Sequence, residues 1–107
     1  MIKKILYIVL ICFVSHITMA QSSSVANRYF EEYAYVKSAS MYEEIVANGD
    51  SSRVSLERLG DSYYNIRNTE KSAPIFATLL KKYSNEVEAI YAFKYAQSLK
   101  SNGEDAA

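Results

Sequence analysis

The side chains that most often carry out covalent catalysis or bind transition metals are almost absent from this chain. His16 is the only histidine and Cys12 the only cysteine, and both lie in a largely apolar amino-terminal segment. From residue 21 onward the chain has neither residue type. This excludes cysteine nucleophiles, histidine-based triads and His/Cys zinc sites from that part of the protein. Carboxylates are the remaining candidates for acid–base chemistry.

The acidic residues include two adjacent pairs, Glu31-Glu32 and Glu43-Glu44. Adjacent residues of a helix point about 100° apart, so the two members of a pair do not converge on one substrate. The interval from Asp50 to Asp61 has the length of a calcium-binding loop, but Ser55 occupies the position that requires glycine. The sequence also has no glycine-rich phosphate-binding loop. We therefore expect no catalytic residue, no metal site and no cofactor.

The amino terminus has the three parts of a secretory signal peptide. A basic start at residues 1–4 precedes an apolar run from Ile5 to Val14, and the small residues Thr18 and Ala20 occupy the positions that a signal peptidase reads. The apolar run has about ten residues, whereas a membrane-spanning helix needs roughly 20. We therefore predict a signal peptide at residues 1–20, an exported mature protein and no mature transmembrane segment.

The predicted mature chain is mildly acidic. The whole sequence balances 12 basic against 12 acidic residues, and removal of Lys3 and Lys4 leaves a net charge of minus two. This balance provides neither the clustered basic face that binds nucleic acid nor a polybasic patch for anionic lipid. The remaining length suits one small domain. We assign residues 21–24 to a polar linker and residues 25–107 to that domain.

A repeat with a period of about 34 residues runs through the predicted domain. Shifting the sequence by one period places Tyr29 on Tyr63 and residues 37–39 on residues 71–73, with similar residues aligned around them. Apolar side chains recur at intervals of three and four, the spacing of an amphipathic helix. The sequence therefore predicts an all-α fold of antiparallel helix–turn–helix repeats, an α-solenoid. We expect about two and a half units, at about 25–50, 53–84 and 87–107, the last incomplete and shifted by about two residues.

Three residues carry local expectations within these units. Gly49 follows the second helix and supplies the left-handed conformation that ends a helix. Gly60 belongs to a set of small residues that let neighbouring helices approach closely. Pro74 lies just after the predicted start of the fourth helix, where it removes one hydrogen bond and clashes with the preceding turn. We therefore expect the fourth helix to start late or to bend.

The repeated helix–turn–helix unit resembles the tetratricopeptide repeat. The positions that match the family's small and aromatic residues are Leu59, Gly60 and Tyr63 on the first helix and Ser72, Phe76 and Leu79 on the second. The chain departs from the family pattern because the closing proline is absent. The glycine between the two helices is also replaced, by Tyr33 in one unit and by Arg67 in the next.

The resemblance implies a concave groove, lined by the first helix of each unit, that binds an extended peptide or a partner's helix. Carried over position by position, the groove candidates are Asn27, Phe30, Glu31, Glu57, Asp61, Tyr64, Asn65, Phe93, Gln97 and Lys100. This mixture of acids, amides and aromatics suits a polar peptide with a few apolar or basic anchors. The implied role is binding of a protein or peptide, not catalysis.

A more specific resemblance is carried by Tyr29 to Tyr35 and Met41 to Ile45, which follow the predicted signal peptide closely. These stretches are similar to the amino-terminal repeats of cell-envelope proteins that also have an OmpA-like peptidoglycan-binding domain. The resemblance implies the arm of a larger protein in the periplasm or at the periplasmic face of the outer membrane. A free-standing periplasmic adaptor and the substrate-recruiting module of an enzyme with a catalytic domain beyond residue 107 stay open as alternatives.

The last predicted helix carries apolar residues that no other predicted element covers. They are Ile90, Phe93, Tyr95 and Leu99. Repeats of this kind stack on one another, and a terminal unit is expected to have a polar outer face. We therefore expect either a further helix beyond Ala107, which we favour, or self-association through residues 87–101.

Overall fold

A computed structural model of the protein describes residues 22–103. Over this range the chain contains no strand and forms five α-helices, at 22–31 (α1), Tyr35–Ala47 (α2), Arg53–Asn65 (α3), Thr69–Tyr83 (α4) and Ala89–Ser101 (α5). The predicted all-α class is confirmed. The predicted signal peptide, with Cys12 and His16, lies outside the described residues. None of the described helices is long and apolar enough to cross a membrane.

Helices that follow one another pack antiparallel. The hydroxyl of Ser38, early in α2, lies 2.6 Å from that of Ser62, late in α3. The same arrangement joins α4 to α5, where the hydroxyls of Ser72 and Ser98 are 2.8 Å apart. All four side chains are buried. Each hydroxyl pair therefore satisfies two polar groups inside a helix–helix interface.

The helices α1 and α5 both contact α3, and these three helices form one layer. The guanidinium of Arg58 on α3 lies 5.5 Å from the centre of the Phe30 ring on α1. On the other side of α3, Asp61 forms an ion pair with Lys94 on α5. The α3 helix is thus the central element of this layer, and the side chains on α1 and α5 are positioned relative to it.

The core consists of two clusters of buried side chains. The first joins α1, α2 and α3 through Ala26, Ala39, Tyr42, Ile45, Leu59 and Tyr63, and the second joins α3 and α4 through Leu56, Phe76 and Leu79. Gly60 permits close contact in the second interface, because a Cβ atom at this position would lie 2.5 Å from the Phe76 ring. The predicted need for a small residue at Gly60 is therefore confirmed.

The turns after α1 and α3 share an unusual backbone conformation. Tyr33 and Arg67, the residues at the expected glycine position, have φ angles of 61° and 62°. In both turns the next residue's N–H bonds to the carbonyl five residues earlier, at 2.9 and 2.8 Å. This is the Schellman closure, which favours glycine because a Cβ in this conformation costs about 1–2 kcal/mol. Gly49 closes α2 in the same way, as predicted, with a φ of 110°.

The start of α4 differs from the expectation. The helix begins at Thr69, which makes Pro74 its sixth residue, so a late start is wrong and only the bend stays a prediction. Proline has no N–H, and the carbonyl of Glu70 therefore lacks its usual helical donor. The helix nevertheless starts early because Asn68 caps it, accepting a hydrogen bond from the N–H of Lys71 at 3.3 Å.

Residues 22–24 also differ from the expectation, since they belong to α1 and not to a linker. Serine is only a moderate helix former, so the local sequence gives little reason for a helix here. Ser22 and Ser23 border a small cleft together with Met41 and Ile45 of α2. The surroundings of α1 in the folded chain therefore include residues of α2, which the local sequence does not reveal.

Candidate functional site

The ten predicted groove residues lie on the three helices of one layer. Those on α1 are Asn27, Phe30 and Glu31, those on α3 are Glu57, Asp61, Tyr64 and Asn65, and those on α5 are Phe93, Gln97 and Lys100. The structure brings them onto adjacent helices but gives them different surroundings. Some are held by partners within the chain, some line one concavity, and others are exposed away from it.

Glu57 and Asp61 are held by cations of the chain itself. The carboxylate of Glu57 accepts hydrogen bonds from the Arg53 guanidinium at 3.1 and 2.9 Å, one helical turn earlier. Asp61 is only 7% exposed, and its two oxygens accept from the Lys94 ammonium at 2.7 Å and from the Tyr91 phenol at 2.9 Å. Two of the three predicted groove acids, Glu57 and Asp61, are therefore already paired with cations of the chain.

Lys94 fixes the relative position of α3 and α5. Its ammonium lies 5.5 Å from the centre of the Tyr64 ring and 5.4 Å from that of Tyr91, within the range of cation–π attraction. Burial and the nearby Asp61 carboxylate raise the pKa of the Tyr91 phenol well above its usual range. The phenol therefore stays protonated at neutral pH and keeps donating to Asp61.

The α1 candidates form local contacts. Asn27 donates its side-chain N–H to Glu31 at 3.3 Å, and its own amide oxygen is buried with no hydrogen-bond partner among residues 22–103. The Phe30 ring is partly buried and meets Tyr35 edge-on at 5.8 Å, with Arg58 over its face. Phe30 therefore packs between α1, α2 and α3, while Glu31 stays exposed.

An open concavity of about 590 Å³ lies between the end of α3, the turn that follows it and the second half of α5. Tyr64, Asn65 and Gln97, three of the predicted groove residues, line it together. The lining also includes Arg67, Thr69 and Ser101, which the sequence analysis did not select. For Arg67 a signal existed, since it stands at the family's glycine position in the turn. Thr69 and Ser101 come close to the predicted groove residues only when the chain is folded, so the sequence carried no signal for them.

Phe93 and Lys100 do not line this concavity. Phe93 is 54% exposed and Ile90, on the same helix, is 45% exposed. Tyr95 and Leu99 were also expected to be uncovered, but they border a separate concavity together with residues of α4. The uncovered apolar surface of α5 is therefore smaller than the sequence suggested, and its large side chains are Ile90 and Phe93.

The carboxylates of the described residues form no metal site, and Asp50 has a structural role. Residues 22–103 contain no cluster of three or more His, Cys, Asp or Glu side chains that could hold a metal ion. Burial alone would raise the pKa of Asp50, but hydrogen bonds from Ser52 and Ser55 outweigh it and lower that pKa. Asp50 thereby orders the turn before α3, where Ser52 also accepts from the N–H of Ser55.

Comparison of the chain with models of known protein families, with curated protein sequences and with solved structures gives no match.

Proposed function

We propose that this protein is a non-enzymatic scaffold for protein–protein interaction in the bacterial cell envelope, built as a tetratricopeptide-like α-solenoid. The observation that carries the proposal is the concavity between α3 and α5, where Tyr64, Asn65 and Gln97 lie together. The resemblance to the tetratricopeptide repeat implies that these three residues line the groove. In this proposal the chain is the amino-terminal arm of a larger outer-membrane or peptidoglycan-associated protein.

Repeated contacts support the solenoid part of the proposal. The Lys37 ammonium lies 5.4 Å from the centre of the Tyr29 ring, and one period later Lys71 lies 5.4 Å from that of Tyr63. The two left-handed turn residues, Tyr33 and Arg67, are also one period apart. Stacked units of a solenoid repeat both their contacts and their turns in this way. The interval from the start of α3 to that of α5 exceeds the period by two, which agrees with the small shift expected for the third unit.

The chemistry of the concavity supports binding of a peptide. Asn65 and Gln97 each offer an amide that can donate and accept, which matches the backbone of an extended peptide. The Tyr64 ring adds apolar surface beside them. Neither amide forms a hydrogen bond with any of the described residues, so both are available to a partner.

The exposed surface of α5 supports the larger-protein part of the proposal. Ile90 and Phe93 leave an apolar strip that a covering helix would bury. Self-association through residues 87–101 is the other way to cover the same strip. Sedimentation of the wild-type chain and of Phe93→Glu separates these two, because only self-association gives a dimer that the charge disrupts.

Site-specific cross-linking in cells tests the binding face. A photoreactive phenylalanine analogue is introduced at Asn65, at Gln97 or, as a control, at Thr78, which is exposed on α4. We expect one common cross-linked partner from positions 65 and 97 and none from position 78. Equal cross-linking at all three positions, or none at 65 and 97, would contradict a binding surface at the concavity between α3 and α5, here called the α3–α5 face.

The location is tested by the mass and the cellular fraction of the natural product. We expect a chain that begins at Gln21 and fractionates with the cell envelope, with a mass well above that of residues 21–107. An uncleaved chain in the cytosol would overturn the proposal of an envelope protein. A cleaved product with the mass of residues 21–107 would favour the free-standing adaptor over the arm of a larger protein.

A further inference from the structure

The concavity between α3 and α5 has one charged lining residue, the guanidinium of Arg67. No acidic side chain among residues 22–103 forms an ion pair with it, although two other cations of the chain, Arg53 and Lys94, have carboxylate partners. The amides of Asn65 and Gln97 line the same space. Two side-chain amides thus line the same concavity as a positive charge that forms no ion pair in the described part of the chain.

The two acids on α3 do not supply that counter-ion. Asp61 is satisfied by Lys94 and by the Tyr91 phenol, and it does not line the concavity. Glu57 is engaged by Arg53 one helical turn away. The sequence alone suggested that these acids would select basic anchors in the partner. Their internal pairing removes that selectivity, and the charged residue that lines the concavity is the cation Arg67.

We infer that the concavity binds a carboxylate side chain of an extended peptide, with Arg67 as the specificity-determining residue. This inference rests on the proposed peptide-binding role of the α3–α5 face and names the class of residue that the face selects. The guanidinium presents a fixed planar fork that matches a carboxylate with two parallel hydrogen bonds. Asn65 and Gln97 hold the peptide backbone on either side of the acidic residue.

The position of Arg67 in the fold favours this geometry. Its backbone is fixed in the left-handed conformation by the Schellman closure after α3. The neighbouring Thr69 is fixed by a 2.6 Å hydrogen bond to the Asn102 amide at the end of α5. Both walls of the concavity are therefore tied together next to the guanidinium, which reduces the ordering cost of binding.

The inference is tested with three blocked pentapeptides that differ only in their central residue. They are alanine peptides with central glutamate, glutamine or lysine, acetylated and amidated at their ends. Each is titrated into the isotope-labelled chain while the side-chain NMR signals of Asn65, Gln97 and Arg67 are followed. At low salt we expect the glutamate peptide to bind about five- to tenfold more tightly than the glutamine peptide. The lysine peptide should bind no better than the glutamine peptide.

Variants separate the guanidinium from general surface charge. Arg67→Gln should abolish the preference for the glutamate peptide over the glutamine peptide. Arg67→Gly serves as a second variant, because glycine keeps the left-handed turn without strain and removes the same charge. Arg28→Gln is the matched control, since Arg28 is exposed on α1, outside the concavity, and loses the same charge.

The inference is overturned if the glutamate and glutamine peptides bind equally, if lysine is preferred, or if Arg28→Gln has the same effect as Arg67→Gln. In those cases, if the NMR signals of Asn65 and Gln97 still respond to the peptides, peptide binding at the concavity stands and only the preference for a carboxylate is refuted. If no peptide perturbs these signals and positions 65 and 97 give no cross-linked partner in cells, the proposed function fails together with the inference.

Discussion

Substitution of Gly60 by alanine sets two opposing effects against each other. Glycine inside a helix costs about 1 kcal/mol relative to alanine, so the propensity of α3 alone predicts that Gly60→Ala stabilises the protein. A Cβ at this position, however, would lie 2.5, 2.8 and 3.1 Å from three carbon atoms of the Phe76 ring. Contacts shorter than about 3.4 Å are repulsive for carbon, because the attractive optimum is at about 3.5–4.0 Å. The ring must move for alanine to fit.

The Phe76 ring has little freedom to move. It is completely buried, and the rings of Tyr64 and Tyr91 flank it with centres 6.2 and 5.9 Å away. Overpacking of a filled core costs about 1–3 kcal/mol, and the shortest of these contacts puts Gly60→Ala in the upper part of that range. After subtraction of the propensity gain, we expect a net destabilisation of about 1–2 kcal/mol.

Urea unfolding followed by circular dichroism measures this change, with Phe76→Leu as the background that removes the conflict. In that background Gly60→Ala should be neutral or stabilising, because the ring carbons that the Cβ would meet are absent. The resulting coupling between the two positions should be about 2 kcal/mol. Ala26 is the equivalent residue one repeat earlier, and its Cβ fits in a buried position. Ala26→Gly should therefore lower the stability of the protein, because it adds the cost of glycine in a helix and relieves no short contact. A rise in stability for Gly60→Ala in the wild-type background would refute the packing argument.

Two further measurements test contacts between helices. The pKa of the Tyr91 phenol is raised, so its contribution to stability is complete below about pH 10, the usual tyrosine pKa, and is lost as the pH rises above it. Stability should therefore fall more steeply above pH 10 in the wild type than in Tyr91→Phe, as measured by urea unfolding at each pH; parallel curves would contradict this. In the second test, Ser72→Ala should cost about 1 kcal/mol because it leaves the buried hydroxyl of Ser98 without its partner. The double variant Ser72→Ala/Ser98→Ala should cost less than the sum of the two single ones, and strict additivity would show that the hydrogen bond contributes nothing.

The sequence was sufficient to predict the features that depend on local spacing. The three- and four-residue periodicity gave the all-α class, and the shift by one repeat period located the turns at Tyr33 and Arg67. The position of Gly60 in the register also indicated close contact with a neighbouring helix. These features could be predicted because helix periodicity, turn type and residue size can be read from neighbouring residues and from the alignment of one repeat with the next.

Only the tertiary structure decided the charge of the candidate site. Asp61 looks like an exposed acid in the sequence, but Lys94 and Tyr91, both far along the chain on α5, engage its carboxylate. Arg67 looks like an irregular replacement for glycine, but it lines the concavity beside Gln97 of a different helix. The helical state of residues 22–24 was likewise not predicted from the local sequence. The type of a side chain determines which groups it can bind. Its actual hydrogen-bond or ion-pair partner depends on which helices pack together, and helices far apart in the sequence meet only in the folded chain.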